Sequence, residues 1–354
     1  MLNIINWIIY YLKCLFNIIY SYFNYKNVII DYQEMNSSFR IIKLKGSYYQ
    51  MGFQYGNKLK IILKKDVKKY YYFIKSNDNI FNKKINEQFR KSNIISSILN
   101  LYSVNKNNYN PNVIDFMEGV SKGSNINYEE ILIVNLFSDL MDNHCIILSK
   151  KIKDKILNLR TLDYGLPNLT QTLIIFNPTN KNSYCSFNLS IIFGIFSGIS
   201  KNGLFFGETY HDNNLGPISY TGMPFHHMAH NFLSSCENIK DGLKIMDKIN
   251  RTSNLELLLG DNNESKIYLY SKNKLIEKKL YYNLTTKEEK EFHKNEQYLD
   301  SIENVINKFI PKTKSGELHC FIQYDGYLYI SVTTNYLQSY NNNFYKLKIV
   351  NLFN

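Results

Sequence analysis

The strongest constraint in this 354-residue chain is a change of hydrophobic period close to residue 145. Upstream, apolar residues recur every three or four positions, the spacing of a helix face. Leu132, Leu136 and Leu140 share such a face between Tyr128 and Met141, with Glu129 and Glu130 placed to meet the helix dipole in the first turn. A helix that carries Gly52 and Gly56 is predicted to run on through Lys75, and further helices over 85–105 and 111–122, joined by an Asn-rich loop at 105–110. Downstream, short β-like runs take over at Cys145–Ser149, Ile156–Thr161 and Leu173–Asn177. Two more, Ser183–Ser200 and Leu204–Tyr210, flank Lys201-Asn202-Gly203, and Asn-Gly between such runs is a strong hairpin signal. Helices over 224–236 and 239–249 precede strands at 255–260, 266–270 and 274–279. A helix near 296–309 and strands at 318–323, 327–334 and 345–350 close the chain. One early strand, Phe39–Leu44, precedes the helices, and no internal repeat or flexible linker breaks the pattern. The class is α+β with a largely antiparallel sheet component.

Three stretches follow from this reading: an apolar amphipathic segment at 1–27, a helical part at 28–144, and a sheet-rich part at 145–354 that forms one domain with 28–144. In the first, Asn3, Asn6, Tyr10, Lys13, Asn17, Ser21 and Asn24 recur at steps of three and four, leaving a wide hydrophobic face. The length suffices to span a bilayer, but Lys13 at mid-segment would cost about 2.5–3.5 kcal/mol there. The n-region lacks Lys and Arg, and no small-x-small site follows, which argues against a cleaved signal peptide. A helix lying on a membrane surface and one docked on the protein's own core fit about equally, with the balance slightly toward the membrane. Gly52 and Gly56 lie four apart on one helical face, where missing side chains would let the helix approach a sheet closely.

Composition excludes more than it selects. A hydrophobic share of 44% and a charged share of 20% are ordinary for a globular protein. The net charge of +12 is spread as Lys interleaved with Glu and Asp, in a chain whose abundant Asn, Ile, Lys and Tyr suggest biased codon usage. Nucleic acid is therefore not an expected partner; a solvated surface with some affinity for anionic membranes is. The five cysteines (14, 145, 185, 236 and 320) show no CxxC spacing and leave an odd one out, which argues against a zinc ribbon or a disulfide framework. Sequons at Asn36, Asn168, Asn188, Asn250, Asn263 and Asn283 are expected by chance in so Asn-rich a chain.

Cys145 stands where the helical part ends and the sheet-rich part opens, with Arg160 fifteen residues on and Asp163 three beyond that. A thiol needs a base and positive surroundings to become a thiolate. If the peptide bond before Cys145 breaks, the cysteine gains its own α-amine, with a free-state pKa of about 7.7–8.0, close enough to take the thiol proton. Arg160 can then hold the Asp163 carboxylate and supply positive charge, while Asp163 orients the amine.

A cysteine followed by Arg-x-x-Asp at this distance resembles acid ceramidase, N-acylethanolamine acid amidase and, more nearly, the acyl-CoA:6-aminopenicillanic acid acyltransferase-like family of N-terminal-nucleophile (Ntn) hydrolases. The Gly46…Gly52…Gly56 run, Gly198-Ile-Ser-Lys-Asn-Gly203-Leu204, and Arg251-Thr-Ser-Asn254…Asp261 resemble further family segments, in the family's order, across roughly 40–350. The resemblance implies a four-layer α/β/β/α sandwich, self-cleavage before Cys145, and a small-molecule acyl-amide substrate, with a lipid amide suiting the apolar N-terminus. It also implies that the two chains so produced stay partners, that Asn254 lends an oxyanion amide, and that no cofactor is needed. Ile146 replaces the family's small hydroxyl residue, His144 its glycine, and Tyr282-Asn283 stands where an Asn-His pair is usual. Those departures leave room for a different class, a catalytically inactive relative serving as a membrane-associated binding or structural protein. The compartment stays open between membrane association and a secretory or lysosomal route.

Other residues carry less. His226 and His230 are i, i+4, but no third ligand follows with motif spacing, so His226, His227 and His230 are read as a helix surface. His144 beside Cys145, and His319 beside Cys320, are poor papain-like bases because neighbours in sequence rarely face each other. Cys185, Cys236 and Cys320 are read as core packing.

Overall fold

The computed structural model describes residues 29–30, 39–140, 145–163, 169–210, 219–278, 292–334 and 337–354. The 1–27 segment, Cys14, the loop before Cys145 with His144, the Tyr164-Gly165 turn, Tyr282-Asn283 and the sequons at Asn36, Asn168 and Asn283 lie outside them.

Strands β1 (Ile29–Ile30), β2 (Phe39–Gly46), β3 (Ile147–Ile152), β4 (Lys155–Leu162), β5 (Gln171–Pro178), β6 (Tyr184–Leu189), β7 (Ser197–Ser200) and β8 (Phe205–Tyr210) come first. After two helices follow β9 (Leu255–Gly260), β10 (Ser265–Tyr270), β11 (Leu275–Lys278), β12 (His319–Tyr324), β13 (Tyr327–Val332) and β14 (Tyr345–Lys348). They form a nine-stranded sheet, β1-β2-β5-β6-β7-β8-β9-β10-β11, and a five-stranded sheet, β14-β13-β12-β4-β3. Every named neighbour is antiparallel except β2 and β5, which run parallel from Phe39↔Gln171 to Gly46↔Pro178. The predicted hairpin is β7–β8, where Gly203 takes a left-handed φ of 95° and the Ser200 amide donates to Leu204 O at 2.8 Å.

Strand alternation assigns the layers. On β5, Leu173 and Ile175 enter a core between the two sheets, joined by Phe187, Phe205, Phe321 and Ile330. Ile174 and Phe176 point the other way, into the large core under the helices. On β4, Leu157 and Leu159 enter a third core with Phe292, Val305 and Phe309, from the helical stretch that covers the five-stranded sheet. Three separate cores between four layers make the α/β/β/α order implied by the resemblance, and the α+β class holds.

The helices depart from expectation in detail. The first run divides at Leu59 into α1 (Tyr48–Lys58), opened by a Ser47/Gln50 capping box, and α2 (Lys60–Ser76). Predicted helix 85–105 begins only at Ile94 (α3, Ile94–Asn105), because Arg90 bends back to donate to Lys83 O and Ile85 O at 2.9 Å each, forming a turn there. Asn110 caps α4 (Pro111–Ser124), with Pro at the first position, and Asn127 caps α5 (Tyr128–Leu136), which tightens into a 3-10 turn at Phe137–Leu140. Near residue 300 one smooth helix is replaced by turns at Ile302–Asn304, Val305–Phe309 and Ile310–Thr313, the middle one widened.

Gly52 and Gly56 do not admit a sheet. A Cβ on Gly52 would strike Phe116 O and one on Gly56 would strike Val120 O, both on α4. Reciprocally, Gly119 faces Tyr49 O and Gly123 faces Phe53 O, so α1 and α4 lie backbone to backbone along a four-glycine seam. Two helices of small residues can approach this closely; a helix on a sheet of large residues cannot. Gly119→Ala should lower stability by about 1–3 kcal/mol in urea denaturation, the range for overpacking, whereas exposed Ser103→Ala on α3 should stay within about 0.5 kcal/mol.

Candidate active site

Cys145 lies just before β3 and is only 8% exposed. Its backbone amide donates to Thr209 Oγ1 at 3.1 Å, and the same hydroxyl donates to Cys145 O at 2.9 Å. The expected strand therefore begins two residues late, at Ile147, since the backbone of Cys145 is bonded to a side chain of β8. Ile146 is in register with β4 from both sides: its amide donates to Thr161 Oγ1 at 2.9 Å, and the Thr161 amide donates to Ile146 O at 2.9 Å.

Arg160 sits on β4 with no solvent exposure. Its side chain passes over Gly207, where a Cβ would come within 3.3 Å of Arg160 Cβ and Cγ. Nη2 then meets Glu208 Oε1 at 2.6 Å and Cys145 Sγ at 3.5 Å, while Nε donates to Glu208 O at 3.2 Å. The Phe196 ring lies 5.8 Å from the guanidinium carbon. Burial holds the Glu208 carboxyl above its ordinary range, and the guanidinium pulls it back. Burial also pushes the Cys145 thiol up to about 12; Arg160 opposes this, the charges of Glu208 and Asp163 add to it, and the Asp163 amide pulls down.

The sequence reading has Arg160 hold the Asp163 carboxylate; in the fold the carboxylate on Arg160 is Glu208's. Asp163 Oδ1 accepts from the Gly316 and Glu317 amides at 2.8 and 2.6 Å, and Oδ2 accepts from Ser315 Oγ at 2.6 Å. Ser315 is in turn 2.6 Å from Thr161 Oγ1. One directed chain runs from the Ile146 amide through Thr161 and Ser315 to Asp163, because each hydroxyl has one proton to give. Burial raises the Asp163 carboxyl and these three donors lower it. The strand ends at Leu162, so the change of direction needed at Asp163 happens there.

Asn254 is buried at the start of β9. Because Leu255 pairs with Tyr210 and Glu256 with Thr209, Asn254 lies at the same end of the sheet as Thr209 and the Cys145 backbone it holds. Cys145, Arg160 and the Asp163 amide thus meet directly, whereas for Asn254 the register gives only the same end of the sheet.

Sequence reasoning passed over Glu208 and Thr209. The available signal was a lone acid in an apolar run, Leu204-Phe-Phe-Gly-Glu208, which a buried strand tolerates only beside a cation. The histidines correct another expectation. His226, His227 and His230 are all buried, since α6 (Phe225–Ser235) packs into the large core on nearly every side. His230 Nε2 donates to Phe193 O at 2.8 Å and Nδ1 accepts from the Tyr184 hydroxyl at 2.7 Å. Burial drives His226 down to about 3 and His230 to about 4, so neutral rings are what this core accommodates. Cys185, Cys236 and Cys320 are buried free thiols, as expected of core cysteines. Among the described residues no His, Cys, Asp and Glu side chains gather as a metal site, and no helix is long and apolar enough to cross a membrane.

No family model matches the chain. It is similar to protein dcd1A of Dictyostelium discoideum, 25% identical over 162 residues, 41% of this chain and 36% of that protein. Protein dcd1B of the same organism is 23% identical over 244 residues, 63% of this chain and 48% of that protein. The chain thus matches less than half the length of either relative. Among solved structures, penicillin V acylase from Agrobacterium tumefaciens aligns with a TM-score of 0.41 at 10% identity, over 58% of this chain and 86% of that one. A conjugated bile acid hydrolase from Clostridium perfringens aligns at 0.37 and 11% identity, over 59% and 94%. A Caenorhabditis elegans N-acylethanolamine-hydrolyzing acid amidase ortholog aligns at 0.38 and 9% identity, over 51% and 92%.

Removing one member of the Arg160–Glu208 pair should be costly and pH-dependent. Arg160→Met takes away the charge that lowers the Glu208 carboxyl, so its folded value rises further above the unfolded one. Folding then takes up a proton, and stability is retained in acid but lost as pH rises. The deficit should be about 3–5 kcal/mol near neutrality and shrink towards about pH 4–5 in urea titrations. Adding Glu208→Leu to the same chain should recover most of it at neutral pH.

Proposed function

We propose that this chain is a cysteine Ntn amidohydrolase or acyltransferase that cuts itself before Cys145 and then acts on an amide C–N bond. The observation that carries the reading is the setting of Cys145: sulfur 3.5 Å from a buried guanidinium, backbone nitrogen already on a hydroxyl acceptor. In the first stage, Sγ attacks the carbonyl carbon of residue 144, forming a C–S bond. The C–N bond breaks and the nitrogen leaves as the Cys145 amine, taking up the thiol proton. Water then hydrolyses the thioester, leaving a carboxylate on 144 and a free thiol on Cys145.

Before the cut the thiol is held protonated by burial, with only Arg160 and one amide opposing, so the precursor is a poor nucleophile towards outside substrates. The new amine supplies the missing base on the same residue. In the second stage the Cys145 sulfur attacks a substrate amide carbonyl, and the amine product departs with the proton from the Cys145 ammonium. Water or a second amine resolves the thioester. Asn254 is the residue we assign to the oxyanion, a donor type worth about 2.7–4 kcal/mol at a transition state. Asp163 is assigned to orient the amine.

A small cavity of about 30 Å³, with room for little more than a water, lies beside the segment that leads into Asn254. Ile98, Leu101, Leu136, Leu140 and Pro224 line it, together with Thr252 and Ser253, next in sequence to Asn254. The lipid-amide reading draws on the apolar N-terminus instead, since a membrane-seeking segment at 1–27 would bring the protein to such a substrate. The second reading, an inactive relative that binds at a membrane, draws support from the raised thiol and from Ile146 after the nucleophile.

Intact-mass measurement of the purified protein separates the two. A self-cleaving enzyme gives two pieces, the second beginning at Cys145, and a Cys145→Ala variant that stays whole. A wild-type chain that remains unbroken through prolonged incubation, between acid and neutral pH, removes the enzymatic reading and leaves the binding one.

A further inference from the structure

Two buried side chains lie behind Arg160 that the mechanism above does not use. Gln171 opens β5 in the nine-stranded sheet, His319 opens β12 in the five-stranded sheet, and both are fully buried. His319 Nδ1 is 2.6 Å from Gln171 Oε1, and His319 Nε2 is 3.3 Å from Arg160 Nη1. Gln171 Nε2 donates to Leu318 O at 2.8 Å.

These contacts have one consistent set of protons. Arginine only donates, so His319 Nε2 must be the bare nitrogen that accepts. The proton of a neutral ring then sits on Nδ1 and points at Gln171 Oε1. The glutamine cannot flip, because its amide nitrogen would then face an N–H and its oxygen a carbonyl. Burial, and next the charge of Arg160, keep the imidazole uncharged well below the ordinary histidine range.

We infer that His319, locked as its Nδ1–H form by Gln171, is a positioning residue that aims the Arg160 guanidinium at the Cys145 sulfur. The inference rests on Cys145 being the nucleophile. Glu208 grips Arg160 at two points, Nε and Nη2, which lets the planar group tilt about that edge. The bond from Nη1 to His319 is a third point on the opposite edge, and three points fix a plane. A tilt about that edge leaves Nη2 in place but turns its second N–H off the line to the sulfur, already the longest of the four contacts at 3.5 Å. The lock joins both sheets, since Gln171 and Glu208 belong to one, and His319 and Arg160 to the other.

The test reads the tautomer, the scission rate and the alkylation rate of Cys145, the last by peptide mass spectrometry. Protein labelled with nitrogen-15 at histidine should show one ring, assigned by its loss in His319→Phe, that is δ-protonated and uncharged at neutral pH. Gln171→Leu should release that pattern and slow self-scission roughly 10- to 100-fold, the scale on which orienting partners act. Alkylation of Cys145 should slow as well, whereas a merely loosened core would expose the thiol and speed it up. His319→Gln, which offers Arg160 an amide oxygen, should recover much of the rate that His319→Phe loses. An ε-protonated or charged ring in the wild type overturns the inference, as does wild-type scission or faster alkylation in Gln171→Leu. If the wild-type chain never cuts itself, the nucleophile reading falls, and tautomer and alkylation still judge the lock. If Gln171→Leu does not fold, the wild-type tautomer and the His319→Gln and His319→Phe pair decide.

Discussion

A guanidinium and a carboxylate buried together between elements of two sheets set the terms for this structure. Arg160 and Glu208 are both essentially without solvent, 2.6 Å apart. Neither charge could be housed there alone, since an unpaired ion loses far more hydration than the interior returns. Their pairing therefore dictates that β4 and β8 face each other, and that Gly207 stays bare where the arginine stem crosses it. Cys145 gains its positive neighbour as a result of an arrangement the fold already requires.

The same core carries other polar ties between sheets. Thr209 of β8 holds the Cys145 backbone, Gln171 of β5 holds Leu318 and His319, and Asn158 of β4 lies against Ser265 of β10. Stacked hydrophobic sheets can slide with little penalty, because dispersion and burial are non-directional. Hydrogen bonds inside a dry core are directional, and an unmade one is expensive. Set among Phe187, Phe205 and Phe321, these few bonds fix the offset between the sheets. They also place the ends of β4 and β8 and the start of β3 within reach of one another.

Much of this was legible locally. Glu129 and Glu130 in the first turn of α5, and Asn202-Gly203, are signals whose causes lie within four residues, and the elements start or turn where they stand. Cys145, Arg160 and Asp163 stood out by what a thiol needs and by the spacing the resemblance rests on; the β3–β4 hairpin that brings them near, with Leu148 facing Leu159, came from the fold. What escaped depended on contacts between distant segments. Glu208 is forty-eight residues from the arginine it neutralises, and the loop at 315–317 that takes the Asp163 carboxylate is more than 150 away. Spacing cannot report such partners. The histidines of α6 misled for a related reason. Polar residues at helical spacing suggest a wet face, but this helix has no wet face, and Tyr184 and Phe193 from other elements receive His230 instead. The glycine seam was recognised as a close approach and assigned to the wrong neighbour, since Gly119 and Gly123 are needed to see the reciprocity.

One topological detail bears on what a nick before Cys145 would leave behind. Strand β2 belongs to the portion upstream of that bond, yet it is zipped for eight residues against β5, which belongs to the portion downstream. A severed chain would thus remain an interlocked particle, its halves threaded through a common sheet, and no dilution short of unfolding would part them.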